Sequence, residues 1–114
     1  RHRLALYCGA SGDHNPIHVD IDFAKAAGFP DVFAHGMLVM GYLGQALTDA
    51  VAPSRIRSFS TRFAAITQLG AQLTCEGMVT ELIEQGGEQR AKLALTTKDQ
   101  HGEIKLAGEA IIAL

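Results

Sequence analysis

The sequence predicts an α+β fold in which an antiparallel sheet curls around one long central helix. Residues 37–50 have a helical pattern and are apolar nearly all round, which is typical of a helix surrounded by protein. After residue 53 the chain alternates apolar and polar residues over four segments joined by short turns. This second pattern is typical of an antiparallel sheet with one buried face.

The first 52 residues contain helix and loop signals. Leu4–Cys8 predicts a short helix that ends at Gly9. Asp20 can cap a second helix, which stops before Gly28, because an aspartate side chain accepts hydrogen bonds from free N–H groups at a helix start. Between these helices, Ser11–Pro16 is dense in turn-forming residues and predicts a loop.

The central helix and the strands follow. Gly41 and Gly44 each weaken a helix interior by about 1 kcal/mol relative to alanine, so their spacing suggests that something packs close against that backbone. Gly86 and Gly87 mark one turn between strands, and Asp99–Gly102 marks another. The predicted strands are residues 56–66, 71–83, 90–96 and 104–112.

Composition excludes several classes of protein. The chain has 114 residues, 47% of them hydrophobic, and a net charge of −2, which fits one globular domain over residues 1–114 and disfavours a nucleic-acid binder. Cys8 and Cys75 form no disulfide or zinc pattern, which favours a reducing compartment and hence the cytoplasm. The longest uncharged stretch, Val32–Thr48, is too short and interrupted to span a membrane.

One loop concentrates the reactive side chains. Asp13 and His18 lie five residues apart across Pro16, and a rigid loop can aim both at one point. A carboxylate and an imidazole that share a water form a general acid–base pair near neutral pH. The alternative is that Asp13 merely caps a turn and His18 is solvated.

Three weaker candidates complete the search. His35-Gly36 leads into the apolar helix, so the Gly36 N–H can hold a developing oxyanion or simply start a helix. A metal site is not expected, because His14 and His18 flank a proline and no cysteine cluster supports them. The cysteines are expected to be core residues. Arg55, Arg57 and Arg62 can meet phosphates or lie on a solvated sheet face.

Residues 7–38 resemble the hydratase 2 motif. The matching stretches are Tyr7–His18, with Ser-Gly-Asp-x-Asn-Pro-x-His at its end, then Phe23-Ala24 and Ala34–Leu38. The motif marks MaoC-like, (R)-specific enoyl-CoA hydratases and the related (3R)-hydroxyacyl dehydratases. The resemblance implies a hot-dog fold, a catalytic pair of Asp13 and His18, an oxyanion-hole donor at Gly36, and a loop-shaping role for Asn15.

The resemblance also implies the reaction and the partners. Water adds to a trans-2-enoyl thioester of CoA or acyl carrier protein, or leaves in the reverse dehydration, without a cofactor. The chain is expected to pair as a homodimer or a hot-dog heterodimer, with no membrane or nucleic-acid partner. Two alternatives stay open: an acyl-CoA thioesterase and a non-catalytic acyl-binding subunit. Family members usually carry a strand before the motif, whereas only six residues precede Tyr7 here, so either the N-terminus is trimmed or the sheet is short by one strand.

Overall fold

Three α-helices occupy the first half of the chain and four β-strands the second. The structure, a computed structural model, describes all residues from 1 to 114. The helices are α1 (His2–Ser11), α2 (Ile21–Ala26) and α3 (Gly36–Ala50), and the strands are β1 (Ile56–Phe63), β2 (Thr74–Gln85), β3 (Glu88–Lys98) and β4 (Ile104–Ala113). The prediction of an α+β fold is therefore confirmed. No helix has the length and apolar character needed to cross a membrane.

The four strands form one antiparallel sheet in the order β1-β4-β3-β2. Gly86 and Gly87 join β2 to β3 with positive φ angles of 63° and 77°, a conformation that favours glycine. A bulge between Val79 and Glu81 shifts the alternation along β2. Val79 precedes the bulge and pairs with Leu93, which packs against the core, but Val79 itself is 55% exposed, so the prediction that it is buried is wrong.

Helix α3 lies against one face of the sheet rather than being enclosed by protein. Val39, Leu43 and Leu47 are buried against apolar residues of β3 and β4, whereas Met37 is 54% exposed. The prediction of a sheet around α3 is confirmed, since the helix contacts all four strands, but the expectation that protein covers every side of the helix is not met at Met37. The reason is that one sheet covers only one stripe of a helix, whatever residues occupy the remainder.

Close packing against the helix backbone was expected at both Gly41 and Gly44 of α3. A Cβ on Gly44 would lie 3.4 Å from the Phe59 ring, whereas one on Gly41 would meet nothing within 4 Å. Close packing therefore occurs at one of the two positions.

Helix α1 continues past Gly9 and ends at Gly12, whose φ of 77° closes the last turn. The cap at Asp20 is confirmed, since its side chain accepts the N–H groups of residues 22 and 23.

Candidate active site

The loop after α1 is held by its own side chains. The Asp13 carboxylate accepts the Asn15 N–H at 3.2 Å through Oδ1. Asn15 Oδ1 in turn accepts the Ile17 N–H at 3.1 Å and caps the short 3-10 helix Pro16–His18. Asp13 Oδ2 accepts no protein hydrogen bond, so this exposed oxygen is available to a water or a ligand. Asn15 therefore shapes the loop, and Asp13 both caps a turn and presents a free oxygen.

His18 is buried and its ring is held in one orientation. Nδ1 lies 2.8 Å from the Phe33 carbonyl oxygen, and the Phe33 ring packs edge-on against the imidazole. Because a carbonyl oxygen can only accept, Nδ1 carries the proton in neutral His18. Nε2 consequently keeps its lone pair and can accept a proton.

His35 contacts both His18 and the loop at Asp13. The spacing of residues in the sequence does not reveal this role. The His35 ring stacks on that of His18, with centroids 3.8 Å apart. Nε2 donates to the Asp13 backbone carbonyl at 3.2 Å, and the Cys8 sulfur lies 3.4 Å from the same nitrogen. His35 therefore connects the loop at Asp13, the ring of His18 and helix α1. The only sequence signal was its position directly before Gly36.

Burial lowers the pKa of His35 below its ordinary value, more than the hydrogen bond to the Asp13 carbonyl raises it. The ring is 1% exposed, and Nδ1 has no hydrogen-bond partner. A buried imidazole with one donated hydrogen bond and one unpaired nitrogen is expected to stay neutral. His35 is therefore a neutral hydrogen-bond donor in the folded protein.

This burial makes stability dependent on pH. The unfolded chain binds a proton at His35 more readily than the folded chain, so stability should fall as the pH drops from about 6.5 towards the lower folded pKa. We expect the urea midpoint of wild-type protein to decrease over this range, and the decrease to be smaller in His35→Gln. The exposed residue His101 provides the control: His101→Gln should keep the wild-type slope. Equal slopes in all three proteins would contradict the assignment.

A carboxylate oxygen of Asp13 and one ring nitrogen each of His18 and His35 lie within 4.8 Å of one another. One water can bridge the Asp13 carboxylate and His18 at such a separation, because each hydrogen bond spans about 2.8 Å. The cluster is less suited to a metal ion. The two imidazole planes are only 26° apart and stacked, so their in-plane lone pairs run side by side and do not converge on one ion.

A cavity of about 480 Å³ opens beside this cluster. Asp13 and Gly36 are among its lining residues, and its walls are mainly apolar; His18 lies next to Asp13 but is not a lining residue. Gly36 is the first residue of α3, and its N–H donates to no protein acceptor. A Cβ at this position would lie 3.0 Å from the Phe63 ring. The absence of a side chain therefore allows the Phe63 ring to pack closely against the helix start, where both residues line the cavity.

The remaining candidates lie outside the site. Arg57 forms a two-point ion pair with Glu88, and these contacts, with those of Arg90, hold the pKa of Glu88 at about 2. Arg55 donates to the Ala113 carbonyl at 2.8 Å. Two of the three arginines are therefore engaged by the protein. Cys75 is half-buried and unpaired.

Comparisons with known proteins identify the family of the chain. Residues 1–101 match the MaoC like domain. The (R)-specific enoyl-CoA hydratase of Rhodospirillum rubrum is 33% identical over 111 residues, covering 96% of this chain and 75% of that protein. The peroxisomal enoyl-CoA hydratase 2 of Arabidopsis thaliana is 37% identical over 75 residues, 63% of this chain; these make up only 24% of that longer protein.

A solved structure extends the likeness to the fold. The (R)-hydratase from A. caviae involved in PHA biosynthesis superposes with a TM-score of 0.85 at 28% identity, covering 99% of this chain and 86% of that one. The helix on its antiparallel sheet is therefore the hot-dog fold that the motif implied. The chain belongs to the MaoC-like dehydratase family.

Proposed function

We propose that the chain catalyses (R)-specific hydration of trans-2-enoyl-CoA to (R)-3-hydroxyacyl-CoA, or the reverse dehydration. The observation that carries this proposal is the approach of Asp13 and His18 to within 4.8 Å, beside a largely apolar cavity that Gly36 also lines. The apolar walls suit an acyl chain, and the polar groups lie together at one place.

The proposed reaction uses a water held between Asp13 and His18. Nε2 of His18 takes a proton as the water oxygen bonds to C3 of the enoyl group. The C2–C3 double-bond electrons move to the thioester carbonyl, which becomes enolate-like. The proton then passes from His18 to C2 as the carbonyl re-forms. The substrate carbonyl itself accepts the electrons, so the reaction needs no cofactor.

Gly36 is proposed to stabilise the enolate-like oxygen. Its N–H is free and lies at the positive end of a 15-residue helix, so it favours negative charge. Loss of one such donor typically costs about 2.7–4 kcal/mol of transition-state stabilisation.

Crotonyl-CoA tests the function. Incubation with the purified protein should remove the absorbance of the enoyl thioester and form 3-hydroxybutyryl-CoA of R configuration, identified by chiral chromatography. Release of free thiol without hydration would indicate the alternative thioesterase. Tight acyl-CoA binding without turnover would indicate a non-catalytic subunit.

We further propose that the chain pairs with a second hot-dog domain, in a homodimer or heterodimer, in a reducing compartment such as the cytoplasm. Both outer strands, β1 and β2, leave one backbone edge unpaired, and such edges favour pairing with another chain. Light scattering of the purified protein should give twice the chain mass of 12.2 kDa. A monomer that stays fully active at high dilution would contradict the proposed pairing.

A further inference from the structure

A buried lysine lines the cavity. Lys105, in β4, is 3% exposed and shares the cavity lining with Asp13. It stands between Ile104 and Leu106 in a mainly apolar strand. Lysines are seldom buried unless an opposite charge compensates them, so this position calls for a specific role.

The ammonium group of Lys105 has no donor left for a substrate. It donates to the Ile66 carbonyl at 2.8 Å, contacts the Glu103 carboxylate, and lies 3.4 Å from Asp99 Oδ2. An ammonium has three N–H donors, and three acceptors surround this one. Burial acts to raise the pKa of Asp99, but two backbone N–H groups and Lys105 bring it below its ordinary value, so the Asp99 carboxylate that faces the ammonium is ionised.

Lys105 instead holds one wall of the cavity. Residues 64–67, here called the wall segment, have no continuous regular structure and all line the cavity. The Lys105 carbonyl accepts the N–H groups of Ala64 and Ala65, at 2.9 and 3.4 Å, while its ammonium binds the Ile66 carbonyl. Three hydrogen bonds from a single residue therefore fix the position of this segment.

The wall segment is also bonded to the backbone that leads into α3. The Thr67 carbonyl accepts the Ala34 N–H at 2.9 Å, and Phe33 pairs with Gln68 in an isolated bridge. A displacement of the wall segment would therefore reach the residues just before Gly36. Lys105 is therefore joined to Asp99 by an ion pair and to the wall segment by hydrogen bonds, and the wall segment is in turn bonded to Ala34.

We propose that Lys105 is a positioning residue that sets the width of the acyl cavity by tying the wall segment to β4, and thereby selects among acyl chains of different length. This inference rests on the proposed function, because it takes the cavity to receive the acyl group. The ammonium acts through the wall and not on the reacting atoms.

Lys105→Met tests the proposal, since methionine keeps an unbranched apolar chain but lacks the ammonium. The ratio of kcat/KM for decenoyl-CoA to that for crotonyl-CoA should change by about tenfold, the scale of discrimination for a pocket that gains or loses room for a methylene. Amide exchange at Ala34 should accelerate. The control is Lys98→Met, which removes a half-exposed lysine paired with Glu76 and should alter neither measurement.

Asp99→Asn provides a second route to the same answer. Asparagine keeps an oxygen for the two backbone N–H groups but removes the charge that faces Lys105. The kcat/KM ratio and the Ala34 exchange rate should therefore change in the same direction as in Lys105→Met, but by less. If Lys105→Met does not fold, the Asp99→Asn variant tests the positioning role of Lys105. A folded variant with the wild-type selectivity ratio would overturn the proposal. If the wild-type protein hydrates no enoyl-CoA, the proposed function fails; unchanged Ala34 exchange would then overturn the positioning role independently.

Discussion

Asp13→Asn and His18→Ala should each lower kcat for crotonyl-CoA hydration by about 10²–10⁴-fold, the usual contribution of a positioned acid or base. Asparagine retains the oxygen that accepts the Asn15 N–H, so the loop should keep its shape while the carboxylate charge is lost. Alanine at position 18 removes the nitrogen proposed to take the proton. A continuous assay of enoyl thioester absorbance measures both effects.

Matched controls separate chemistry from structure. His14→Ala changes an exposed histidine in the same loop, and Asp22→Asn changes an exposed aspartate in the first turn of α2; both should retain wild-type kcat. Circular dichroism should show that Asp13→Asn remains folded. Wild-type turnover in either Asp13→Asn or His18→Ala would refute the proposed mechanism.

Gly108→Ala should destabilise the fold by about 3 kcal/mol, at the upper end of typical overpacking effects. Gly108 pairs with Thr61 across the β1–β4 ladder. A Cβ here would overlap the Ser60 carbonyl oxygen and lie 2.9 Å from the Thr61 Cα. Because backbone atoms cannot move aside as a flexible side chain can, β1 would have to shift away from β4. Thermal unfolding should show Tm lowered by roughly 10–20 °C.

Gly41→Ala is the opposite case and serves as the control. This glycine lies in the interior of α3, and a Cβ would meet no atom within 4 Å. Alanine should therefore stabilise the helix by about 1 kcal/mol and raise Tm. If Gly108→Ala left Tm unchanged, the close approach of β1 to β4 would be contradicted.

Local patterns predicted most of the elements. The apolar run at 37–50 predicted α3 to within one residue, because a helix of that length is specified by its own periodicity. Asp20 correctly predicted the N-terminal cap of α2, and Gly86-Gly87 correctly predicted the turn between β2 and β3. Both features depend on local backbone geometry. The end of α1 was placed at Gly9, although only Gly12 adopts the left-handed conformation that closes the helix.

The sequence by itself indicated the family, through the resemblance of residues 7–38 to the hydratase 2 motif, and its alternation of apolar and polar residues predicted the antiparallel sheet. Only the tertiary structure decided which residues surround Asp13, His18 and Gly36. The stacking of His35 on His18, the Phe63 ring over Gly36 and the bond from Lys105 to the wall segment all join parts of the chain that are distant in sequence. No periodicity or local motif records such contacts, because they arise only when strands and helix pack together.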